Sequence, residues 1–130
     1  MFKKYEVEEG TGKHRVFLMA IVTQNGILAS LVGGEQPHLG GVVISIPRPS
    51  LINPEECSCT SSVLPLLHHK DDEAARPVAE MLARETGMPV SVSAGIHVDN
   101  ANGDDINKLM KNSLGCGKKL INLITIQFEK

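Results

Sequence analysis

The sequence has few aromatic residues: three Phe, one Tyr and no Trp among 130 residues. Proteins that bind single-stranded nucleic acid stack the bases on aromatic rings, so this shortage argues against such a platform. The formal net charge is -2, and no basic surface is therefore expected to attract a phosphate backbone. Nucleic acid is accordingly not expected as a partner.

The sequence also lacks a long apolar run and an even number of cysteines. The longest apolar run, Val16–Val22, has the length of a strand and is far shorter than the ~20 residues of a membrane-spanning helix. The first residues are charged and contain no apolar signal-peptide core. Three cysteines argue against the disulfide framework of a small secreted protein. We therefore expect a cytoplasmic protein that does not associate with membranes.

Strand patterns fill most of the first half of the chain, and helical patterns appear in the second. The Asn25-Gly26 pair lies between two apolar segments and predicts a hairpin with a type I′ turn, in which both residues have a positive φ. Residues 57–67 favour an extended strand, and Val90–Val98 alternates as a strand does. These patterns predict one α/β (α+β) domain over residues 1–130. It has two layers, a mainly antiparallel sheet with two helices packed on one face.

Both predicted helices contain residues that disfavour helix. Pro77 would clash with the carbonyl group four residues earlier, so the regular helix is expected to begin near residues 74–76 or to kink at Pro77. A second helix is predicted over residues 104–113. The Gly-Cys-Gly segment 115–117 is expected to end it. The β-branched residues of segment 120–128 then favour a closing strand over a short helix.

Three histidines lie in or beside predicted loops. His38 belongs to a glycine-rich segment, whose exposed N–H groups let a ligand approach closely. His69 and Lys70 precede the first helix, and a helix N-terminus favours an anion. His97 ends a strand, where ligand-binding groups collect in α/β sheets. We expect any ligand chemistry on these three loops.

The same histidines allow a second interpretation, a site for a divalent metal ion. Neutral imidazole is the commonest nitrogen ligand, so His38, His69 and His97 are the candidate ligands if the loops converge. The alternative for each is an ordinary packing or hydrogen-bonding role. His14 is expected to be such a residue, exposed to solvent at the start of a strand. No Ser-His-Asp or Cys-His signature is present, so no catalytic residue is predicted.

Three segments together resemble a known family. They are Gly-Gly-Glu-Gln-Pro-His-Leu-Gly at 33–40, His-Lys-Asp at 69–71 and Ser-Ala-Gly-Ile-His-Val at 93–98, in this order. They resemble the small D subunit of gallate decarboxylase, which belongs to a family of prenylated-flavin chaperones. The resemblance extends over residues 14–115 and is most specific in the first and third segments.

The resemblance implies a non-catalytic protein that carries prenylated flavin mononucleotide (FMN) without using it. Its partner would be a prenylated-flavin-dependent decarboxylase of gallate-type aromatic acids, to which it delivers the flavin. N–H groups of the glycine loop and Lys70 would hold the phosphate, and aliphatic side chains or Met would contact the ring. The implied cofactor-binding residues are Gly33, Gly34, His38, Gly40, His69, Lys70, Gly95 and His97.

Two alternatives to the chaperone function stay open. One is a histidine-coordinated metal-binding protein or metal-dependent enzyme. The other is an assembly subunit of a decarboxylase complex, in which the histidines have no ligand. An exposed edge strand would then pair with the partner, or with a second copy in a homo-oligomer.

Overall fold

The computed structural model describes residues 1–66 and 72–128. The strands are β1 (Phe2–Glu9), β2 (Val16–Thr23), β3 (Ile27–Gly34), β4 (Gly41–Pro49), β5 (Cys57–Pro65) and β6 (Val90–His97). The helices are α1 (Asp72–Thr86) and α2 (Gly103–Phe128), and a single 3-10 turn, Gly12–His14, precedes β2.

The six strands form one sheet in the order β1-β2-β3-β6-β4-β5. Neighbouring strands are antiparallel except for β3 and β6, which run parallel. β6 therefore lies between β3 and β4, which are consecutive in sequence. This arrangement confirms the predicted mainly antiparallel sheet. It also forces the short connection from β3 to β4 to cross one end of β6.

Both helices pack on the same face of the sheet, as predicted. Alternate strand residues face them and are fully buried, among them Leu18, Leu31, Val43 and Val92. The residues between these point to the opposite surface, which we call the open face because neither helix contacts it. Its central residues are Lys4, Glu6, Met19, Ile21, Leu28, Ser30, Val42, Ile44, Ile46, Ser62, Leu64, Ser91 and Ser93.

The predicted hairpin joins β2 and β3, but its turn is not type I′. The loop has three residues, 24–26, and neither Asn25 nor Gly26 has a positive φ. Thr23 organises the loop instead. Its hydroxyl donates to the Gly26 carbonyl over 2.9 Å and accepts from the Asn25 N–H over 3.1 Å. The Thr23 hydroxyl thus stabilises the loop, which does not adopt the positive φ angles that the Asn-Gly pair predicts.

The first helix begins earlier than predicted. α1 starts at Asp72, so the expected start near residues 74–76 is wrong, and Pro77 lies inside the helix. Pro77 has no N–H for the carbonyl of Glu73. The helix forms nonetheless because Val78 and Leu82 are fully buried against the sheet and the core. Tertiary burial of a helix face outweighs the loss of one backbone hydrogen bond.

The second helix does not end at the Gly-Cys-Gly segment, and the predicted closing strand over residues 120–128 is wrong. α2 runs without interruption for 26 residues. Its buried residues Ser113, Cys116, Leu120 and Ile124 recur every three or four positions, which is the helical period. The helical spacing continues through the two glycines and indicates one helix, whereas β-branched composition favours a strand. Among the described residues, no helix is both long and apolar enough to cross a membrane.

The two glycines of α2 serve close packing. A Cβ on Gly115 would lie 3.1 Å from the Glu9 side chain of β1. A Cβ on Gly117 would lie 3.1 Å from the Met81 sulfur of α1. Cys116, between them, is fully buried, and its burial raises the pKa of the thiol to about 11. Small residues therefore let α2 approach both β1 and α1, and this gain in packing outweighs their low helix propensity.

His14 is not the exposed residue that its position predicts. Its side chain is only 17% exposed, and its Nε2 lies 2.7 Å from Oδ1 of Asp105 at the start of α2. Asp105 also exchanges hydrogen bonds with Asn102. The Asp105 N–H donates to the Asn102 side chain over 2.8 Å, and the Asn102 N–H donates to the Asp105 carboxylate over 3.0 Å. The reciprocal hydrogen bonds between Asn102 and Asp105 cap the start of α2. The contact between His14 and Asp105 connects this cap to the segment before β2.

The Asp105 contacts predict an acid-sensitive contribution to stability. The hydrogen bond from His14, followed by the one from Asn102, lowers the pKa of Asp105 from 3.8 to about 2. A carboxylate whose pKa is lower in the folded state stabilises the fold above its unfolded pKa, and the contribution disappears as pH falls toward the folded value. We expect Asp105→Asn to be less stable at neutral pH. Below about pH 4 the difference from the natural chain should shrink.

Urea unfolding at neutral pH, at about pH 4 and at about pH 2.5 measures this difference. Asp104→Asn is the matched control, since the Asp104 carboxylate is 71% exposed and pairs with Lys108 over 3.1 Å. If the two variants lose stability in parallel across this interval, the His14–Asp105 contact is not responsible.

Candidate functional site

The connection between β3 and β4 crosses over β6 close to the end of that strand. We call residues 35–40 the crossing loop. Four of its N–H groups donate to carbonyl oxygens of β6, over 2.7 to 3.4 Å. The donors are Glu35, Gln36, His38 and Gly40, and the acceptors are Ala94, Gly95 and His97. The loop is thereby attached along its length to the carboxyl end of the strand beneath it.

These bonds engage four N–H groups of the glycine-rich segment with β6. The glycines also allow two backbones to touch. A Cβ on Gly95 would overlap the carbonyl of His38, and a Cβ on Gly34 would overlap the carbonyl of His97. Gly34 also has a φ of +74°, a conformation that residues with a side chain rarely adopt.

The crossing loop brings two of the three predicted histidines together. The ring centroids of His38 and His97 lie 6.4 Å apart, with the ring planes inclined by 76°. Nδ1 of His38 is hydrogen-bonded to the carbonyl of Gln36 over 2.9 Å. The side chain of His97 remains 44% exposed. Two imidazoles thus share one surface site at the carboxyl ends of the parallel strands β3 and β6.

Two carboxylates hold the His97 side of the site in place. Nε2 of His97 lies 2.8 Å from Oδ1 of Asp99, and the Asp99 N–H donates to the Glu35 carboxylate over 3.0 Å. A carboxylate partner fixes the orientation of an imidazole ring. Asn100, with a φ of +54°, then turns the chain toward α2, in a conformation that Asn tolerates better than most residues. Asp99 and Glu35 were not among the predicted site residues.

The remaining predicted residues divide into two groups. Gly33 is buried in β3, where a Cβ would lie 2.5 Å from the carbonyl oxygen of Arg15, so its small size serves packing. His69 and Lys70 lie outside the described residues. The last described residue before them is Leu66, whose N–H donates to the carbonyl of Gly40 over 2.9 Å. The chain therefore enters the segment that contains His69 from a position beside the crossing loop.

Exposed leucines beside the histidines were also not predicted. Leu39 is 58% exposed and Leu66 is 48% exposed. Leu39 precedes Gly40 in the crossing loop, and Leu66 is hydrogen-bonded to Gly40, so both leucines add exposed apolar surface to this region. The alternation of strand sequences identifies residues that face the core, but it does not distinguish a functional exposed Leu from an incidental one.

The metal interpretation gains no support from the described part of the chain. In residues 1–66 and 72–128, no three His, Cys, Asp or Glu side chains are grouped so that they could hold a metal ion. His38 and His97 approach each other, whereas the third predicted ligand, His69, falls in the undescribed segment. An arrangement of two imidazoles suits hydrogen bonding to an anion as well as it suits a metal.

Replacement of Gly95 tests whether the crossing loop depends on its contact with β6. We expect Gly95→Ala to destabilise the fold by about 1–3 kcal/mol, because the new methyl group forces the His38 backbone away from the strand. Thermal or urea unfolding measures the loss. Gly103→Ala is the control, since a Cβ there has no atom within 4 Å. If Gly95→Ala loses no more stability than Gly103→Ala does, the position of the crossing loop does not depend on this contact.

Known proteins resemble this chain in sequence and in fold. Residues 10–125 match a protein family described as the prenylated flavin chaperone LpdD-like domain. No curated protein matches the sequence. Among solved structures, a chain from the crystal structure of a novel chaperone complex for yeast 20S proteasome assembly has a similar fold. Its TM-score is 0.59 over 96% of each chain, at 18% identity. At this identity the likeness concerns the fold alone.

Proposed function

We propose that this chain, which belongs to the family of prenylated flavin chaperone LpdD-like domains, binds prenylated FMN and delivers it to a prenylated-flavin-dependent decarboxylase. The flavin is cargo in this proposal, and the chain has no catalytic role. The observation that carries the proposal is the meeting of His38 and His97 at the carboxyl ends of β3 and β6. Ligands of open α/β sheets bind outside this end of parallel strands.

The two imidazoles suit the anionic end of the cargo. Each ring nitrogen that carries a proton donates a hydrogen bond, and a phosphate has several oxygens that accept one. Nδ1 of His38 and Nε2 of His97 already donate to the Gln36 carbonyl and to Asp99. A phosphate between the rings, whose centroids are 6.4 Å apart, would therefore accept from the other nitrogen of each ring, which carries a proton in the imidazolium form. The Asp99 carboxylate fixes the orientation of His97 beforehand, which reduces the entropy lost on binding. His69 and Lys70, which the family resemblance includes, are proposed as further phosphate contacts.

The apolar end of the cargo suits the leucines beside the histidines. A prenylated flavin has a flat ring system extended by hydrocarbon, and burying it releases water from both surfaces. Leu39 and Leu66 expose about half of their side chains next to Gly40. With no Trp and one Tyr in the chain, an aliphatic contact surface replaces an aromatic one.

The exposure of this site agrees with a carrier. An enzyme gains from excluding water around the reacting atoms, whereas a carrier must release its cargo to another protein. His97 is 44% exposed, and the exposed Leu39 and Leu66 lie in and beside the crossing loop at the same end of the sheet. A client decarboxylase can therefore approach the cargo without first unfolding any element of the chaperone.

Binding is tested by titrating the chain with FMN and with prenylated FMN, followed by absorbance and calorimetry. We expect selective binding of the prenylated form and a loss of at least tenfold in affinity in His97→Ala and in His38→Ala, because each removes a hydrogen bond to an anion. Arg84→Ala is the control. It removes an exposed positive charge from the last turn of α1, close to the end of the sheet at which β6 begins.

The outcomes separate the candidate functions. No binding of either flavin would overturn the proposal. Equal affinity in the histidine variants and in Arg84→Ala would place the cargo elsewhere on the chain. A double variant, His38→Ala with His97→Ala, that still activates a flavin-free decarboxylase as fully as the natural chain does would favour the assembly-subunit function instead.

A further inference from the structure

We propose that the open face of the sheet packs against the open face of a second copy of this chain. The two copies are related by a twofold axis that runs parallel to the strands, between β3 and β6. This inference does not depend on the bound cargo. It rests on which side chains the open face exposes and on how they are distributed across the six strands.

The open face exposes several large apolar side chains to water. Met19, Ile21, Leu28, Ile44 and Ile46 each expose between 39% and 55% of their area there. Scattered apolar residues on a monomer need no explanation, but a contiguous apolar patch marks an interaction site. Of the charged residues of the face, Lys4, Glu6 and Glu8 lie on the edge strand β1, and Arg48 lies near the end of β4, where its Nε donates to Thr60 over 2.8 Å. The central strands β3 and β6 contain no Lys, Arg, Asp or Glu. Depletion of charge at the centre is typical of protein interfaces.

The apolar residues are placed symmetrically about the middle of the sheet. β2 is the second strand from one edge and presents Met19 and Ile21. β4 is the second strand from the other edge and presents Ile44 and Ile46. The central pair, β3 and β6, presents mostly serines. A twofold axis along the centre therefore places β2 of each copy opposite β4 of the other, which is the self-complementarity that a symmetric dimer requires.

The strand register extends this match to individual residues. One row across the open face consists of Lys4, Ile21, Leu28, Ser91, Ile44 and Ser62. The axis places Ile21 opposite Ile44 of the second copy, and Leu28 opposite Ser91 of the second copy. The contact between Ile21 and Ile44 thus lies beside a contact between a large residue, Leu28, and a small one, Ser91. Side chains of stacked sheets interdigitate in this way.

The next row repeats the pattern. It consists of Glu6, Met19, Ser30, Ser93, Val42 and Leu64. Met19 faces Val42 of the second copy, and Ser30 faces Ser93 of the second copy, so two hydroxyl groups meet near the axis. Glu6 lies at the rim, where it stays in water. Neither of these two rows places like charges opposite each other, which would cost affinity.

The part of the open face that the crossing loop leaves uncovered is large enough for an interface. Gly95 and His97 belong to the open face and the His38 backbone lies over Gly95, so the last rows of β3 and β6 are excluded from the contact. Six strands about 4.8 Å apart, with about five residues each at about 3.3 Å, give each copy roughly 450–500 Å². The total buried by two copies is then about 1,000 Å², the size that a specific interface has to reach. An axis parallel to the strands brings both His38–His97 pairs to the same end of the dimer.

Sedimentation velocity of the untagged chain tests the dimer, against a monomer mass of 14.0 kDa. We expect the natural chain to sediment as a dimer at micromolar concentrations. Ile21→Lys and Ile44→Glu should each weaken association at least tenfold, because each buries an unpaired charge twice per dimer. Ile52→Glu, a change at a residue that is 96% exposed in the loop between β4 and β5, is the control and should remain dimeric. Circular dichroism confirms that each variant is folded.

Mixing Ile21→Lys with Ile44→Glu tests the axis. In the mixed dimer, the lysine that replaces Ile21 in one copy faces the glutamate that replaces Ile44 in the other. The remaining pair is Ile44 with Ile21, as in the natural chain. We expect the mixture to regain much of the association that each variant loses alone. A monomeric natural chain, or single variants that associate like Ile52→Glu, would overturn the dimer. A mixture that stays monomeric would overturn the proposed axis.

Discussion

The position of β6 between β3 and β4 is the constraint on which the rest of the structure depends. Because β3 and β4 are consecutive in the chain, their connection has to cross the strand inserted between them. The crossing is short and is held by backbone hydrogen bonds, which brings the His38 carbonyl against Gly95. A side chain at Gly95 would prevent this contact. The same crossing brings His38 to His97, so one topological feature produces the site.

The position of the two helices determines which surfaces of the sheet are available for binding. α1 and α2 together cover one face of the sheet, where the buried core lies. The carboxyl end of β6 and the open face are left for other contacts. The end of the sheet carries imidazoles, carboxylates and exposed leucines, a mixture suited to a ligand with one anionic and one apolar part. The open face carries aliphatic side chains and serines, a composition suited to another protein surface.

Several glycines lie where another segment of the chain packs closely against them. Gly95 admits the crossing loop, Gly33 admits the chain before β2, and Gly115 and Gly117 admit β1 and α1 against α2. Each glycine costs some chain entropy on folding, and each is offset by closer packing of its neighbours. This explains why glycines that are usually typical of loops or helix ends occur here inside a strand and inside a 26-residue helix.

Local patterns in the sequence determined the fold class. Strand alternation, the Asn25-Gly26 hairpin signal and the apolar face of the first helix were sufficient for a two-layer domain with a mainly antiparallel sheet, and both segments around His38 and His97 indicated the family. Only the tertiary structure decided that β6 lies between β3 and β4, that α2 continues through Gly115, and that His14 binds Asp105. These features depend on contacts between residues far apart in the chain. A local pattern reports which face of an element is buried, but it does not report which element buries it.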